Sequence, residues 1–485
     1  MRKHRLFTLV LCLLLLCSLL GGCSPAPEPG TYPTVPPKDQ SAAAPENSAE
    51  EPVATPEPTP SEIRLSGGSF QSDQETLTTV VTPEDLPLLE SFTALRTADF
   101  RGSRCQRELA SWALEHPEVT VCCEITLSDG TEVPAETREL DLTGKAAGED
   151  LLALVLLPEL RSVELGSCDN AADSDMDWDA LAKAEAACPD AAFHYAFRLF
   201  GKSFDLQSTE MDLNHITMDD EGALVKKVAL CLPGLTLLDM DFCEVSDEAM
   251  ADIRDALPNA EVIWRVWFGK DRSGYTARTN VTKILASNPG KGGELTPENT
   301  KSLKYCTKVR YLDLGHNDQL TDISFVSYMP DLEVLILALG GVSDLRPLAD
   351  CPKLEYLEAQ TSPASDLRPL AGLKNLRHLN VAHNFALTDI TPLYGLTDLE
   401  RLWLGAYDPV PREQIEEMQR RAPNCEIDFS AIDPTAGNWR YIGTDARGIG
   451  VLHPRYILLH EQFGYDSAPR CYSYIENDPL YYPHD

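Results

Sequence analysis

Five copies of one short phrase fill residues 309–407: VRYLDLGHN, LEVLILALG, LEYLEAQTS, LRHLNVAHN and LERLWLGAY, beginning at 309, 332, 354, 376 and 399. Each is a form of LxxLxL in which Val or Ala can stand for Leu, and the period is 22 or 23 residues. A strand sends successive side chains to opposite faces. Leu335 and Leu337 therefore point one way, and Val334, Ile336 and Ala338 the other. One such strand cannot bury its apolar face alone, whereas copies stacked in register bury it continuously. The predicted column is Leu312, Leu335, Leu357, Leu379 and Leu402.

After each strand the chain must turn. Asn317 and Asn384 stand there, with Gly340 and Ser362 as substitutes. A second apolar stretch follows in four copies: LTDISFV (320–326), VSDLRPL (342–348), ASDLRPL (364–370) and LTDITPL (387–393). Ser or Thr followed by Asp signals a turn or cap. Pro inside the stretch disfavours a long helix and favours a short 3₁₀ return. Phrase, period and Asn together resemble the internalin-type class of bacterial leucine-rich repeats. The resemblance implies an α/β fold, a leucine-rich-repeat solenoid with a parallel sheet on its concave face.

Residues 82–103 and 296–317 align without a gap, so the chain starts a repeat array twice. Thr82 and Thr296, each followed by Pro and Glu, read as helix N-caps. The first array, 63–270, holds longer and less regular repeats. TRELDLTG (137–144), PELRSVELGSC (158–168), the helix WDALAKAEAAC and PDAAFHYAFRLFG (189–201) recur as STEMDLNH (208–215), PGLTLLDMDFC (233–243), DEAMADIRDAL and PNAEVIWRVWFG (258–269). Pro closes each helix and restarts the chain as strand, a pattern also present at 116–127 and 422–429. The Phe200-Gly201 and Phe268-Gly269 ends read as turns. Residues 271–295 read as a connector, and 296–430 as the array of regular 22-residue repeats. Residues 431–485 leave the repeat and hold seven of the sixteen Tyr, with Trp439. Their HPRYILLHEQFG resembles a segment that closes many bacterial leucine-rich-repeat proteins, which implies a cap over the last repeat; a separate ligand-binding tail is the alternative.

The start of the chain is basic, then apolar, and ends in Leu20-Gly21-Gly22-Cys23. This resembles the lipobox of bacterial lipoproteins and implies a signal peptide at 1–22 and lipidation of Cys23. Residues 23–62 are a Pro-, Ala- and Glu-rich linker that cannot form a core; extended, it reaches roughly 120 Å. The formal charge is −35, and loss of Arg2, Lys3 and Arg5 with the leader leaves 38 basic against 76 acidic residues, or −38. Nucleic acid and anionic lipid would be repelled. Eleven of fourteen Cys lie beyond Cys23, with no CxxC pair. They read as small buried hydrophobes, and of Cys122 and Cys123 at most one can be core.

The chain has no GxSxG, P-loop, HExxH or GxGxxG at a strand–helix junction, so no catalytic residue, cofactor or metal site is predicted. His316 and His383, at equivalent repeat positions, read as polar loop residues. The informative positions point outward from the regular strands: Tyr311, Val334, Tyr356, His378 and Arg401 at the third place, and Asp313, Ile336, Glu358, Asn380 and Trp403 at the fifth. Exposed Tyr, Trp and Arg dominate binding energetics, although strand propensity also selects Tyr, Val, Ile and Trp. In the first array the corresponding row is acidic, Asp99, Asp141, Glu164, Asp212 and Asp239, and reads as repeat consensus rather than a cation site. The expectation is a non-enzymatic, membrane-anchored extracytoplasmic scaffold that binds a protein or a glycan through the concave face of 309–407. An envelope enzyme or enzyme subunit, with its site in the first array or the tail, and a purely structural spacer are the alternatives.

Overall fold

The leucines stack as the register requires. Leu312 pairs with Leu335, Leu335 with Leu357, Leu357 with Leu379 and Leu379 with Leu402 on adjacent parallel strands, and all five are fully buried. The strands are Tyr311–Asp313, Val334–Ile336, Tyr356–Glu358, His378–Asn380 and Arg401–Gly405. Lys283–Leu285 precedes them and Glu426–Ala431 follows, making seven parallel strands. Tyr474–Ile475 adds an antiparallel strand beside Lys283–Leu285. The computed structural model describes residues 60–485 except 146, 271–273, 288–294, 436–438, 445, 447–449, 466–473 and 476–485. The leader, Cys23 and almost all of the linker lie outside the described residues.

Between strands the chain returns through 3₁₀ turns at Ser324–Tyr328, Arg346–Asp350, Arg368–Leu370 and Thr391–Gly395. The Asp before each turn caps it: Asp322, Asp344, Asp366 and Asp389 accept the N–H two residues on, at 2.7–3.0 Å. At the strand ends the Asn residues hold neighbouring coils together. The Asn317 amide donates to the carbonyls of Ala286 and Leu314 (3.0 and 2.9 Å). Asn384 donates to Ala359 and accepts from the Ser362 N–H. The residue before each turn position is left-handed: His316, Leu339, Thr361 and His383 have φ of 63°, 54°, 53° and 62°. Imidazole tolerates that backbone better than a branched side chain, which accounts for the equivalent histidines.

The first array is a threefold super-repeat, one copy more than the sequence pattern revealed. Each copy is three parallel strands: Thr76–Thr78, Thr97–Asp99 and Thr120–Cys122; Glu139–Asp141, Ser162–Cys168 and Ala192–Leu199; Glu210–Asp212, Leu237–Asp239 and Glu261–Ile263. An antiparallel hairpin ends or follows each third strand. The helices Gln106–Glu115, Trp178–Ala187, Asp247–Ala256 and Arg412–Arg421 each run into a Pro and then a strand. Phe200 and Gly201, at φ 49° and 79°, form a two-residue hairpin turn, the left-handed geometry such turns need.

Two expectations are corrected. Residues 271–295 are not a bare connector: Tyr275–Arg278 pairs with Arg265–Phe268, and Lys283–Leu285 opens the regular sheet. Val281, Ile284 and Ala286, all buried, repeat the spacing of Val309, Leu312 and Leu314; Ile in place of the central Leu, and 28 rather than 22 or 23 residues to the next copy, hid the match. Thr82 and Thr296 cap turns rather than helix ends. Their N–H groups are held by Asp85 and Asn299 at 2.8 Å, and the helical segments start at Leu86 and Lys301. The ten described cysteines are free, and Cys123 is buried where Cys122 is half-buried. Burial pushes the thiols of Cys351 and Cys425 up to about 12, so they pack as small hydrophobes.

Leu357→Ala should lower the stability of the regular sheet by about 3 kcal/mol, because the neighbours on both sides hold the cavity open. Urea denaturation followed by circular dichroism measures it. An unchanged midpoint would contradict the column.

Candidate functional site: the second face of the regular sheet

The ten outward positions do form one surface. Tyr311, Val334, Tyr356, His378 and Arg401 pair in one row across the strands, and Asp313, Ile336, Glu358, Asn380 and Trp403 in the next. The expectation that this face is open is corrected. Nine of the ten are buried and Tyr311 is half-buried, because the chain after Ala431 folds back over them. This segment is therefore not confined to covering the last coil, as a cap would be.

The covering segment meets the sheet at named points. The Asn380 amide donates to the Pro434 carbonyl at 2.8 Å. Trp439, fully buried, sets its ring 5.5 Å from Tyr356 and 5.3 Å from Trp403. The helix Pro454–Phe463 follows; His453 caps it through its side chain, and Gly464 ends it in the left-handed region. Leu459 and Phe463 from this helix join Val334, Ile336, Tyr356, Trp403 and Trp439 in a cluster separate from the main core. The Tyr465 hydroxyl donates to Asp313 at 2.7 Å, and Lys283 donates to the Gln462 carbonyl.

Glu358 is the polar centre. Its carboxylate is fully buried and accepts from the Tyr356 hydroxyl (2.5 Å), the Trp439 indole N–H (2.8 Å), the Gln360 amide (3.0 Å) and Arg440 (3.3 Å). Burial alone would raise its pKa, but the Arg440 charge and these donors hold it below the usual carboxylate value. Arg401, also buried, lies 4.4 Å from the Trp439 ring centre and 5.0 Å from that of Trp403, and donates to the Trp439 carbonyl at 2.6 Å. Asp313 behaves oppositely to Glu358. Burial pushes it up to about 6, and the Gly315 N–H and Tyr465 hydroxyl offset this only in part. Sequence reasoning missed Gln360, Trp439, Arg440, Leu459, Phe463 and Tyr465.

The acidic row of the first array works locally. Asp99, Asp141, Glu164, Asp212 and Asp239 each accept the N–H two residues on, at 2.9–3.2 Å, and Asp313 continues the habit with Gly315. At Asp99, Asp141, Asp212 and Asp239 these bonds close strand-ending turns, whereas Glu164 lies inside Ser162–Cys168, where the register with the next strand shifts. Asp239 also meets Arg278, beside a buried bidentate pair between Arg265 and Asp241 (2.8 and 2.7 Å). Among the described residues no cluster of three or more His, Cys, Asp or Glu is placed to hold a metal ion. A cavity of about 1060 Å³ lies between the helices Gln106–Glu115 and Trp178–Ala187. Ala110, Leu114, Leu152 and Val155 line it together with Arg107, Glu115, Glu149 and Lys183.

Two measurements probe this site. Glu358→Ala strands four donors in a dry interface and should cost about 3–5 kcal/mol. Asp366→Ala, which breaks an exposed pair with Arg368, should cost about 1 kcal/mol or less. Equal losses in urea denaturation would mean that the covering segment does not seal Glu358.

His378 adds a pH dependence. Burial first, then Arg401, Arg455 and His453, depress its pKa to about 3. Glu400 at 3.7 Å would favour the charged ring, but that carboxylate is mostly exposed and screened. A folded pKa below the unfolded value of 6.5 means the unfolded chain binds the proton first. This contribution is therefore present above pH 6.5 and lost as pH falls toward 3, on the order of 3 kcal/mol by pH 4. His378→Gln should flatten that part of a stability–pH profile, and an unchanged slope would contradict the buried neutral ring.

No protein-family profile matches the chain, and no curated protein matches it. Solved structures with similarity are leucine-rich-repeat proteins. Internalin C2 of Listeria monocytogenes is 21% identical, covering 32% of this chain and 76% of its own, with a TM-score of 0.23. A second internalin of the same organism is 17% identical over 73% of this chain and 86% of its own (TM-score 0.24). A leucine-rich-repeat protein of Leptospira interrogans is 15% identical over 70% and 91% (TM-score 0.28). At such scores the likeness carries no weight for function, and the repeat fold rests on this chain's own strand register.

Proposed function

We propose that the chain is a lipid-anchored extracytoplasmic scaffold that binds a polypeptide partner across the second face of its regular sheet, residues 309–407. The observation that supports the reading is that this face already grips polypeptide. Tyr311, Asp313, Tyr356, Glu358, Asn380, Arg401 and Trp403 each meet a group from the described part of 431–465, and Val334 and Ile336 share its apolar cluster. A seated peptide favours protein over glycan as the ligand class. Anchoring draws on Leu20-Gly21-Gly22-Cys23 and on the Pro-rich linker behind it. The burial of nine of its ten positions equally favours a structural spacer, and one capture experiment separates the two.

Cys23→Ser should move the chain from the membrane fraction to the soluble extracytoplasmic fraction; unchanged fractionation would remove the lipid anchor. For binding, immobilised wild-type chain, Trp439→Ala and Trp439→Ala with Glu358→Lys are each exposed to extracytoplasmic protein and to an array of glycans. Capture of polypeptide strengthened by the first variant and abolished by the second is expected. Capture of glycans alone would change the ligand class, and no specific capture would leave the spacer.

A further inference from the structure

We propose that residues 431–465 are a built-in occupant of the second face, and that the partner displacing them carries the same chemistry: a polypeptide presenting an indole followed directly by a guanidinium. This rests on the scaffold reading above and adds what the partner must look like.

The first ground is that the seam is separable. The apolar side chains of the regular strands fall into two clusters with no buried member in common. Leu312, Leu335, Leu357, Leu379 and Leu402 belong to the main core. Val334, Ile336, Tyr356 and Trp403 belong with Trp439, Leu459 and Phe463. Lifting the covering segment would open the second cluster and leave the leucine column whole. The strand ladder would survive too, apart from the short Tyr474–Ile475 pairing at one edge.

The second ground is that the face cannot stay empty. Without Trp439 and Arg440, Glu358 would lose two of its four donors and its compensating cation. It would face water from a floor of Val334, Ile336, Tyr356 and Trp403. An apolar floor around a charge invites replacement of one occupant by another.

The third ground is what the floor selects. The indole of Trp439 lies between Tyr356 and Trp403, with its N–H on Glu358 and its backbone carbonyl on Arg401. The next residue, Arg440, puts its guanidinium on the same carboxylate. One carboxylate thus reads two adjacent residues, an N–H donor on a flat ring and a cation. A cationic ligand also suits a chain with a net charge of −35.

The test uses full-length chain and a fluorescent peptide with the sequence of residues 431–465. Tethered competition lowers the apparent affinity of the wild type by its open fraction. Trp439→Ala with Arg440→Ala should therefore bind the peptide about tenfold or more tighter than wild type. Adding Glu358→Gln, or making the same two Ala changes in the peptide, should abolish the gain. Binding no tighter than wild type by a variant that keeps its repeat circular dichroism overturns the proposal. Loss of the repeat fold in the variant overturns it as well, because the segment would then be a structural layer. Hydrogen exchange on wild type gives an independent reading. Amides of 454–463 should open at lower free energy than those of 334–404, and equal protection overturns the proposal. Peptide binding without a partner in the capture experiment would count against the scaffold reading alone. Capture that the peptide fails to compete would count against this one alone.

Discussion

A parallel sheet whose strands are apolar on both faces has to be covered twice. The strand run Val334–Ala338 alternates nothing: Val, Leu, Ile, Leu and Ala are all buried. One set falls into the leucine column, where stacked coils and 3₁₀ returns cover it. The other set needs a second layer, and repeats of 22 residues have no chain to spare for it. Among the described residues, the chain that follows the last coil supplies it. The position of the C-terminal segment is in this sense a debt of the strands themselves.

The polar groups in that second layer fix where it lies. Apolar contact alone would tolerate sliding, but Glu358 accepts the Trp439 indole at 2.8 Å and Asp313 accepts the Tyr465 hydroxyl at 2.7 Å. A shift of one residue would break both and leave each buried carboxylate short of a donor in a dry seam. The two acids are also tuned apart. Arg440 and three neutral donors keep Glu358 ionised, whereas burial leaves Asp313 raised to about 6. A buried ion pair contributes little net stability beside an apolar substitute; its effect here is on register and choice of occupant.

Much of the fold was legible from local spacing. The leucine column, the Asp-capped 3₁₀ returns, the Pro-closed helices and the buried cysteines follow from residues close together in the chain. The outward row was also legible as a row. Its environment was not, because nothing local ties Glu358 to Trp439, 81 residues away. One physical sign was present: LEVLILAL reads as a strand buried on both faces, whereas an open recognition face would alternate. The strand Lys283–Leu285 escaped for a simpler reason, since Ile284 stands where the repeat has Leu and the next copy begins 28 residues on, outside the 22- or 23-residue period. The equivalent histidines, read as polar loop residues, sit at left-handed backbone positions.

The covering segment leaves the sheet at Ala431, beside the last coil, and its final strand pairs at Ile284 in the first. Stacked coils ordinarily touch only their neighbours, so an array melts by peeling from whichever terminus is weaker. Here one segment leaves from the last strand and returns to the first, so its release exposes both edges of the sheet together while the leucine column between them stays packed.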